Sequence, residues 1–250
     1  MDWGRPLRAA EKFAKRLWRG KGWLAWVRRI AVIVFILLVP APILSLLLFR
    51  FVPVPFTPQI AIVFLSGDPV RYAWRDAGAI SRTLGKAVIA AEDQNFCHHH
   101  GFDWKSIDKA IEAHERHPRK RLRGASTISQ QAARSLFLMP ARSWVRKGLE
   151  AYLTVLMEFL WPKQRILTAY LNLVDWGHGN FGAEAAAESY FGKPAAALTA
   201  KEAARLAAIL PNPDDWHAVR PGPYVKRRTG ILLARAHTVT RDDLDVCVRL

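Results

Sequence analysis

Two adjacent carboxylates, Glu92 and Asp93, stand where an apolar stretch meets a polar, aromatic segment. A carboxylate held between a packed helix and the edge of a cleft can have its basicity tuned by its surroundings, as general-base catalysis requires. Two solvated acids at a helix terminus would look the same in sequence, since most acidic side chains are exposed. The pair is therefore a candidate catalytic base whose assignment depends on the segments that come after it in the chain.

Three consecutive histidines, His98 to His100, come shortly after the carboxylates. Consecutive side chains point in different directions in regular structure, so all three cannot face one metal ion. We expect no metal site here and one histidine that orients its neighbours.

A second candidate site begins in the basic loop after Arg119 and continues into a predicted helix rich in hydroxyls and amides. A helix N-terminus close to arginines is suited to binding phosphate or diphosphate. The side chains at this entrance that could also bind sugar hydroxyls are Ser126, Thr127, Gln130 and Gln131. A capped surface helix with a solvated basic loop is the alternative interpretation.

A third group of charged residues lies on one helix face. Arg146 and Glu150 are four residues apart, Lys147 is adjacent, and Glu158 comes two turns later. The group could be a carboxylate held among cations beside an anionic ligand. It could equally be ordinary ion pairing within a helix, which is worth only about 0.3–0.5 kcal/mol.

Helical patterns dominate the elements that must position these residues, so the predicted fold class is mainly α, with at most a small β element. The predicted helices begin at Ser81, Thr127, Ser143, Ala183, Thr199 and Pro223, and a further predicted helix includes Ile166 to Leu173. Those at Thr127 and Thr199 open with capping boxes. Tyr170 and Leu171 are interpreted as core packing. The apolar run from Ile60 to Leu65 fits either a strand or a segment lying against a membrane.

Three spaced glycines, Gly177, Gly179 and Gly182, predict a tight turn between two of these helices.

The run from Ile30 to Phe49 is twenty residues without a charge, long enough to span a bilayer as a helix. A secretory signal peptide usually has an apolar region of only about 7–15 residues. Nine Lys or Arg and two acidic residues precede Ile30, which predicts a cytoplasmic N-terminus. The net charge of +16 suggests an anionic partner. Because the basic arm is expected in the cytoplasm, we assign its charge to topology and lipid contact and expect no nucleic-acid partner.

The two cysteines, Cys97 and Cys247, show neither metal-ligand spacing nor a CxxC motif. An extracytoplasmic location would permit a disulfide between them, but the sequence does not decide whether they pair.

Taken in order, four segments resemble the peptidoglycan glycosyltransferase family, glycosyltransferase family 51. EDxxFxxHxGFD spans Glu92 to Asp103, GxSTIxQQ spans Gly124 to Gln131, RKxxE spans Arg146 to Glu150, and YLNxxxxGxGxxG spans Tyr170 to Gly182. Each fragment is weak alone, whereas four ordered matches across Ala90 to Pro213 are specific.

The resemblance implies a lysozyme-like, two-lobed fold with a cleft between the lobes, lipid II as substrate and undecaprenyl diphosphate as leaving group. It implies that Glu92 deprotonates the 4-hydroxyl of the incoming lipid II, which attacks the anomeric carbon with inversion. Glu150 would be the second catalytic residue, near the leaving diphosphate among the substrate-binding residues Arg134, Arg146 and Lys147. The other substrate-binding residues that it implies are Asp93, Phe96, His99, Gly124, Ser126, Thr127, Gln130, Gln131 and Asn172. The family usually has lysine in place of Arg134, which exchanges a compact point charge for a planar fork.

We expect a basic cytoplasmic arm (1–29), a transmembrane helix (30–50), a connector (51–75), the glycosyltransferase domain (76–237) and a C-terminal tail (238–250). Because no second domain comes after the match, we expect no transpeptidase activity. No cofactor is expected, although a divalent ion such as Mg²⁺ could assist the diphosphate. The expected partners are lipid II, the growing lipid-linked strand, the cytoplasmic membrane and cell-wall synthesis or division proteins.

The expected location is the cell inner membrane, with one pass and a periplasmic catalytic domain. Two alternatives remain: a lysozyme-like glycan-cleaving enzyme such as a lytic transglycosylase, and a membrane scaffold without activity.

Overall fold

The computed structural model of the chain describes residues 22–117, 125–141 and 143–248. The chain divides into two compact units, Met1–Leu48 and Phe49–Leu250. The helices are α1 (Trp23–Leu38), α2 (Pro40–Phe49), α3 (Pro58–Leu65), α4 (Arg82–Glu92), α5 (Trp104–Arg116), α6 (Ile128–Phe137), α7 (Trp144–Leu160), α8 (Lys163–Leu173), α9 (Ala183–Phe191), α10 (Ala200–Ile209) and α11 (Pro223–Arg241). Short 3-10 helices cover Ala77–Ala79, Phe96–His98, Ala195–Ala197 and Val246–Val248.

The first unit carries the apolar segment. By length and composition, Trp23–Phe49 is the one stretch of helix in the described residues that is long and apolar enough to cross a membrane. It begins before the predicted start at Ile30 because Trp23 to Arg29 are also helical. The helix is interrupted at Val39, since Pro40 has no backbone N–H to continue the hydrogen-bond ladder.

Two groups of helices build the second unit. In one group α4, α10 and α11 pack against one another, and in the other α6 packs against α7 and α8. The largest fully buried side chains include Trp176, Tyr170 and Phe96, and burying one large apolar side chain contributes about 1.5–3 kcal/mol. This arrangement agrees with the mainly α, lysozyme-like fold that the resemblance implies.

The strands of the described residues form a two-stranded parallel sheet. Strand β1 (Arg71–Tyr72) pairs with β2 (Asn180–Phe181), with Arg71 opposite Asn180. The expectation of a small β element is therefore confirmed.

The predicted helix starts are confirmed in detail at three caps. Thr127 with Gln130 and Thr199 with Glu202 both form complete capping boxes, and Ser143 accepts a hydrogen bond from the backbone N–H of Arg146. Ser81 does precede α4, but its hydroxyl makes no capping bond and donates instead to the Leu198 carbonyl, 3.1 Å away.

The glycine turn between α8 and α9 includes two positions at which the contacts with other loops require glycine. Gly177 and Gly179 have φ of 92° and 75°, which side-chain-bearing residues rarely adopt. A Cβ on Gly177 would lie 2.2 Å from the Pro213 carbonyl oxygen, and one on Gly179 would lie 1.8 Å from that of Pro69. The turn therefore packs directly on the backbone of two other loops.

The run Ile60–Leu65 is not a strand. It belongs to α3, where Thr57 caps the helix and Pro58 occupies its first position, a combination that favours a helix start. Phe64 and Leu65 at its end are 69% and 81% exposed. The segment predicted as connector (51–75) thus contains a helix and strand β1, and α11 continues past residue 238, where the predicted tail begins.

Cys97 and Cys247 form a disulfide, with their Cα atoms 5.5 Å apart. The bond ties the loop after α4 to the segment after α11. In the same segment Asp245 lies 3.8 Å from the Lys86 ammonium on α4. The C-terminal segment is therefore fastened across the first helix group.

Candidate active site

A cavity of about 690 Å³ opens between α4, the start of α6 and one face of α11. It brings together residues from three distant parts of the sequence. Its lining consists of Ala91, Glu92, Ser126, Gln131, Arg134, Pro211, Tyr224, Arg227, Arg228, Ile231, Leu232 and Arg235. Four of these, Glu92, Ser126, Gln131 and Arg134, are predicted site residues.

Glu92 is the last residue of α4 and is half-buried at the cavity wall. A carboxylate at a helix C-terminus is opposed by the helix dipole, so other groups must favour it there. Gln131 Nε2 donates a hydrogen bond to Glu92 Oε2 at 3.0 Å. Arg134 and three arginines of α11 line the same cavity and supply positive charge.

Asp93 and His99 do not line the cavity but lie buried next to it. Both are buried, and His99 Nε2 lies 3.0 Å from each Asp93 carboxylate oxygen. Asp93 Oδ2 also accepts the backbone N–H of Ile128 at 3.0 Å, which joins the end of α4 to the start of α6. His98 and His100 are exposed, so the expected single orienting histidine is His99.

Four further predicted substrate-binding residues make internal contacts. Gln130 is held in the capping box, and Thr127 donates to the Gly101 carbonyl at 2.7 Å. Phe96 is fully buried, and Asn172 hydrogen-bonds the backbone of Arg75. None of the four lines the cavity that Glu92 lines, and their contact with substrate stays a prediction; Gly124 lies outside the described residues.

Glu150 is buried, with 2% of its surface exposed, and two cations meet it. Arg146 Nη1 lies 2.6 Å from Glu150 Oε2, and the Lys147 ammonium contacts Oε1. Lys147 Nζ is also 3.5 Å from Ser126 Oγ at the cavity rim. Buried charge requires compensation, and two cations on one carboxylate leave an excess positive charge.

Arg134 stands between the main cavity and a neighbouring one of about 450 Å³. Arg146 lines the second cavity as well. Arg134 is therefore shared by the cavity that Glu92 lines and the cavity that Arg146 lines.

Tyr170 lies beneath Gln131 and is fully buried. Burial raises the pKa of Tyr170 well above its ordinary value; the negative charge of Glu92 adds to the rise and Arg134 opposes it. The hydroxyl is consequently protonated throughout the physiological range.

The arginines of α11 are the functional candidates that sequence reasoning missed. Arg227, Ile231 and Arg235 are spaced four apart and so share a helix face, with Tyr224 and Arg228 beside them. The spacing was visible in the sequence. Nothing local indicated that this face would lie opposite a carboxylate far earlier in the chain.

Comparisons with known proteins find a family model and several relatives to which this chain is similar. A protein-family model described as Transglycosylase matches residues 62–237. The biosynthetic peptidoglycan transglycosylase of Caulobacter vibrioides is 46% identical over 222 residues, which cover 89% of this chain and 96% of that protein. The proteins of that name from Rhodospirillum centenum and Chromohalobacter salexigens are 49% and 50% identical, covering 80% and 82% of this chain and 86% and 90% of theirs.

Proposed function

The chain belongs to the transglycosylase family, and from that premise we propose that it is a peptidoglycan glycosyltransferase of cell-wall synthesis. It polymerises lipid II into β-1,4-linked glycan strands and releases undecaprenyl diphosphate. Relatives named biosynthetic peptidoglycan transglycosylase support the role. The observation that carries the chemistry is one carboxylate, Glu92, sharing a cavity with four arginines.

Glu92 is the proposed general base. Its carboxylate takes the proton of the 4-hydroxyl of the incoming lipid II, and the freed oxygen forms a bond to the anomeric carbon of the growing strand. The bond between that carbon and the diphosphate breaks, and the diphosphate leaves with the electron pair. A single displacement inverts the configuration at the anomeric carbon.

The arginines are the proposed binding site for the leaving diphosphate, on which negative charge develops as the bond breaks. Fixed cations aimed at developing charge are among the largest contributions to catalysis. Arg134 approaches from α6, and Arg227, Arg228 and Arg235 approach from α11. Guanidinium groups bind phosphate oxygens in pairs, which fixes orientation as well as charge.

Glu150 acts less directly in this proposal. By pairing with Arg146 and Lys147 it holds two cations in place, and Arg146 lines the neighbouring cavity that Arg134 also lines. These cations would guide the diphosphate away from the reacting carbon. Assistance by a divalent ion such as Mg²⁺ stays a prediction, and turnover measured with EDTA and then with restored Mg²⁺ tests it.

We propose that Trp23–Phe49 anchors the enzyme as a single pass in the cytoplasmic membrane, with its N-terminus in the cytoplasm and its catalytic unit in the periplasm. The basic residues before Ile30 support this orientation. The disulfide between Cys97 and Cys247 supports an oxidising compartment for the catalytic unit. Cell-wall synthesis or division proteins are the proposed protein partners.

The rival function is cleavage of glycan strands, as by a lytic transglycosylase. Cleaving a neutral strand needs no cationic site for a leaving group, so the four arginines favour synthesis. A scaffold without activity would need no base in a cavity.

One assay separates the three functions. Purified, detergent-solubilised protein is supplied with labelled lipid II, and separately with preformed labelled glycan. We expect polymer from lipid II that a β-1,4-specific muramidase digests, and no fragments from preformed glycan. Release of fragments without polymer would support cleavage of glycan strands. The absence of any product in both assays would support a scaffold without activity.

A further inference from the structure

Glu92, Gln131 and Tyr170 form a row of side chains that runs from the cavity into the core, one each from α4, α6 and α8. Gln131 Nε2 donates to Glu92 Oε2 at 3.0 Å. The Tyr170 hydroxyl donates to Gln131 Oε1 at 3.4 Å, at the long end of hydrogen bonding. Exposure falls along the row, from half-buried Glu92 and Gln131 to fully buried Tyr170.

The central member of this row has two chemically different ends. A carboxamide offers a donor at Nε2 and an acceptor at Oε1, and only the donor favours an ionised carboxylate. If the Gln131 amide turned over, Oε1 would face Glu92 and two acceptors would oppose each other. Something must therefore select the orientation.

Tyr170 selects the orientation of the Gln131 amide. Its hydroxyl hydrogen points to Gln131 Oε1, and residues 22–117, 125–141 and 143–248 offer the hydroxyl no second hydrogen-bond partner. An overturned amide could donate to the tyrosine oxygen, but the hydroxyl hydrogen would then be buried without an acceptor, which costs free energy. Because the hydroxyl stays protonated at physiological pH, it remains a donor whenever the enzyme works.

We propose that Tyr170 is a positioning residue that acts through Gln131 to keep the amide donor on Glu92 and the carboxylate aimed into the cavity. The proposal rests on the proposed role of Glu92 as general base. The other charged groups around Glu92 are Asp93 beside it, Arg134 on α6, and Arg227, Arg228 and Arg235 on α11. All of them remain when the hydroxyl alone is removed.

The first test is Tyr170→Phe, assayed for lipid II polymerisation across pH. We expect kcat to fall by roughly two- to tenfold, the effect of one hydrogen bond, with a change in KM below about twofold. The acid limb of the rate–pH profile should move to higher pH, because an amide oxygen facing Glu92 favours its protonated form. The matched control is Tyr190→Phe, which removes a hydroxyl bound to the Trp176 carbonyl at 2.8 Å, away from the cavity. It should keep the wild-type acid limb.

The second test asks whether Tyr170 acts through Gln131. Gln131→Met removes both the donor and the acceptor of the amide, and it should also move the acid limb of the rate–pH profile to higher pH. Adding Tyr170→Phe to it should move the limb no further. A further shift in the double variant, or a wild-type acid limb in Tyr170→Phe, would overturn the proposal. If melting shows that Tyr170→Phe does not fold, an unshifted limb in Gln131→Met would overturn it.

Failure of the proposed function is distinguishable from failure of this inference. Full polymerase activity in Glu92→Gln would refute both the role of Glu92 as general base and the positioning role of Tyr170. An inactive Glu92→Gln, combined with a wild-type acid limb in Tyr170→Phe, would refute the positioning role of Tyr170 alone.

Discussion

At the scale of single residues, Arg134 carries two parts of the proposed chemistry. It lines the cavity of Glu92 and also the neighbouring cavity that Arg146 lines. The resemblance implies lysine at this position in most of the family, so the point charge of a lysine is expected to serve here, and the planar fork of arginine adds donors to that charge.

Arg134→Lys should therefore retain polymerase activity to within about fivefold, whereas Arg134→Ala should lose on the order of 10²–10³ in kcat, as for a group that stabilises developing charge. The measurement is the initial rate of lipid II polymerisation at saturating substrate. Arg116→Ala, which removes a largely exposed arginine of α5, is the control. Equal rates in Arg134→Ala and Arg116→Ala would contradict the assignment.

The sequence indicates candidate site residues where their signals are local. Glu92 and Gln131 stand in short motifs, and the structure brings them into hydrogen-bond contact. Thr127 and Gln130 belong to the same motif as Gln131, but their side chains are used in capping the helix. Motif membership alone does not separate these two uses, because both need polar side chains at a helix start. The α11 arginines could not be assigned, since their role depends on tertiary packing.

At the scale of elements, a hydrogen bond and a disulfide hold the end of α4, where Glu92 lies. Asp93 accepts the N–H of Ile128 and so joins α4 to α6. A few residues later, the disulfide from Cys97 to Cys247 joins the same loop to the segment after α11. The carboxylate side and the arginine side of the cavity are thus linked covalently.

Reduction of this disulfide should lower the melting temperature and reduce polymerase activity. The bond closes a loop with a sequence separation of 150 residues. Disulfides contribute typically about 2–4 kcal/mol, mainly by constraining the unfolded chain. The measurement is thermal unfolding with and without reductant. The double variant Cys97→Ser, Cys247→Ser should melt at the temperature of the reduced protein and ignore reductant. If reductant left the melting temperature of the wild-type protein unchanged, the stabilising role of the disulfide would be contradicted.

Element boundaries show the same division between local and distant causes. The helices at Thr127, Ser143 and Thr199 were predictable because each cap lies within a few residues of the start it fixes. The pairing of β1 with β2 was not predictable, since two-residue strands have no period and their partners lie over a hundred residues apart. The same holds for the cysteine pair.

At the scale of the whole molecule, the proposed function depends on bringing together a carboxylate and a set of cations that no single segment contains. α4 contributes the carboxylate, α6 contributes Gln131 and Arg134, and α11 contributes three arginines. The fold places these elements around one cavity, and the apolar helix Trp23–Phe49 is long enough to cross a membrane. The proposed synthesis from a lipid diphosphate would use both the cavity and the helix.

The most direct test of the proposed mechanism is polymerisation of labelled lipid II by Glu92→Gln, compared with the wild-type protein and with Glu188→Gln, an exposed glutamate on α9. Removing a general base typically costs about 10²–10⁴ in rate. We expect Glu92→Gln to lose at least the lower figure while keeping the wild-type melting temperature, and Glu188→Gln to polymerise normally. A Glu92→Gln protein that makes polymer at the wild-type rate would contradict the central claim that this carboxylate activates the attacking hydroxyl.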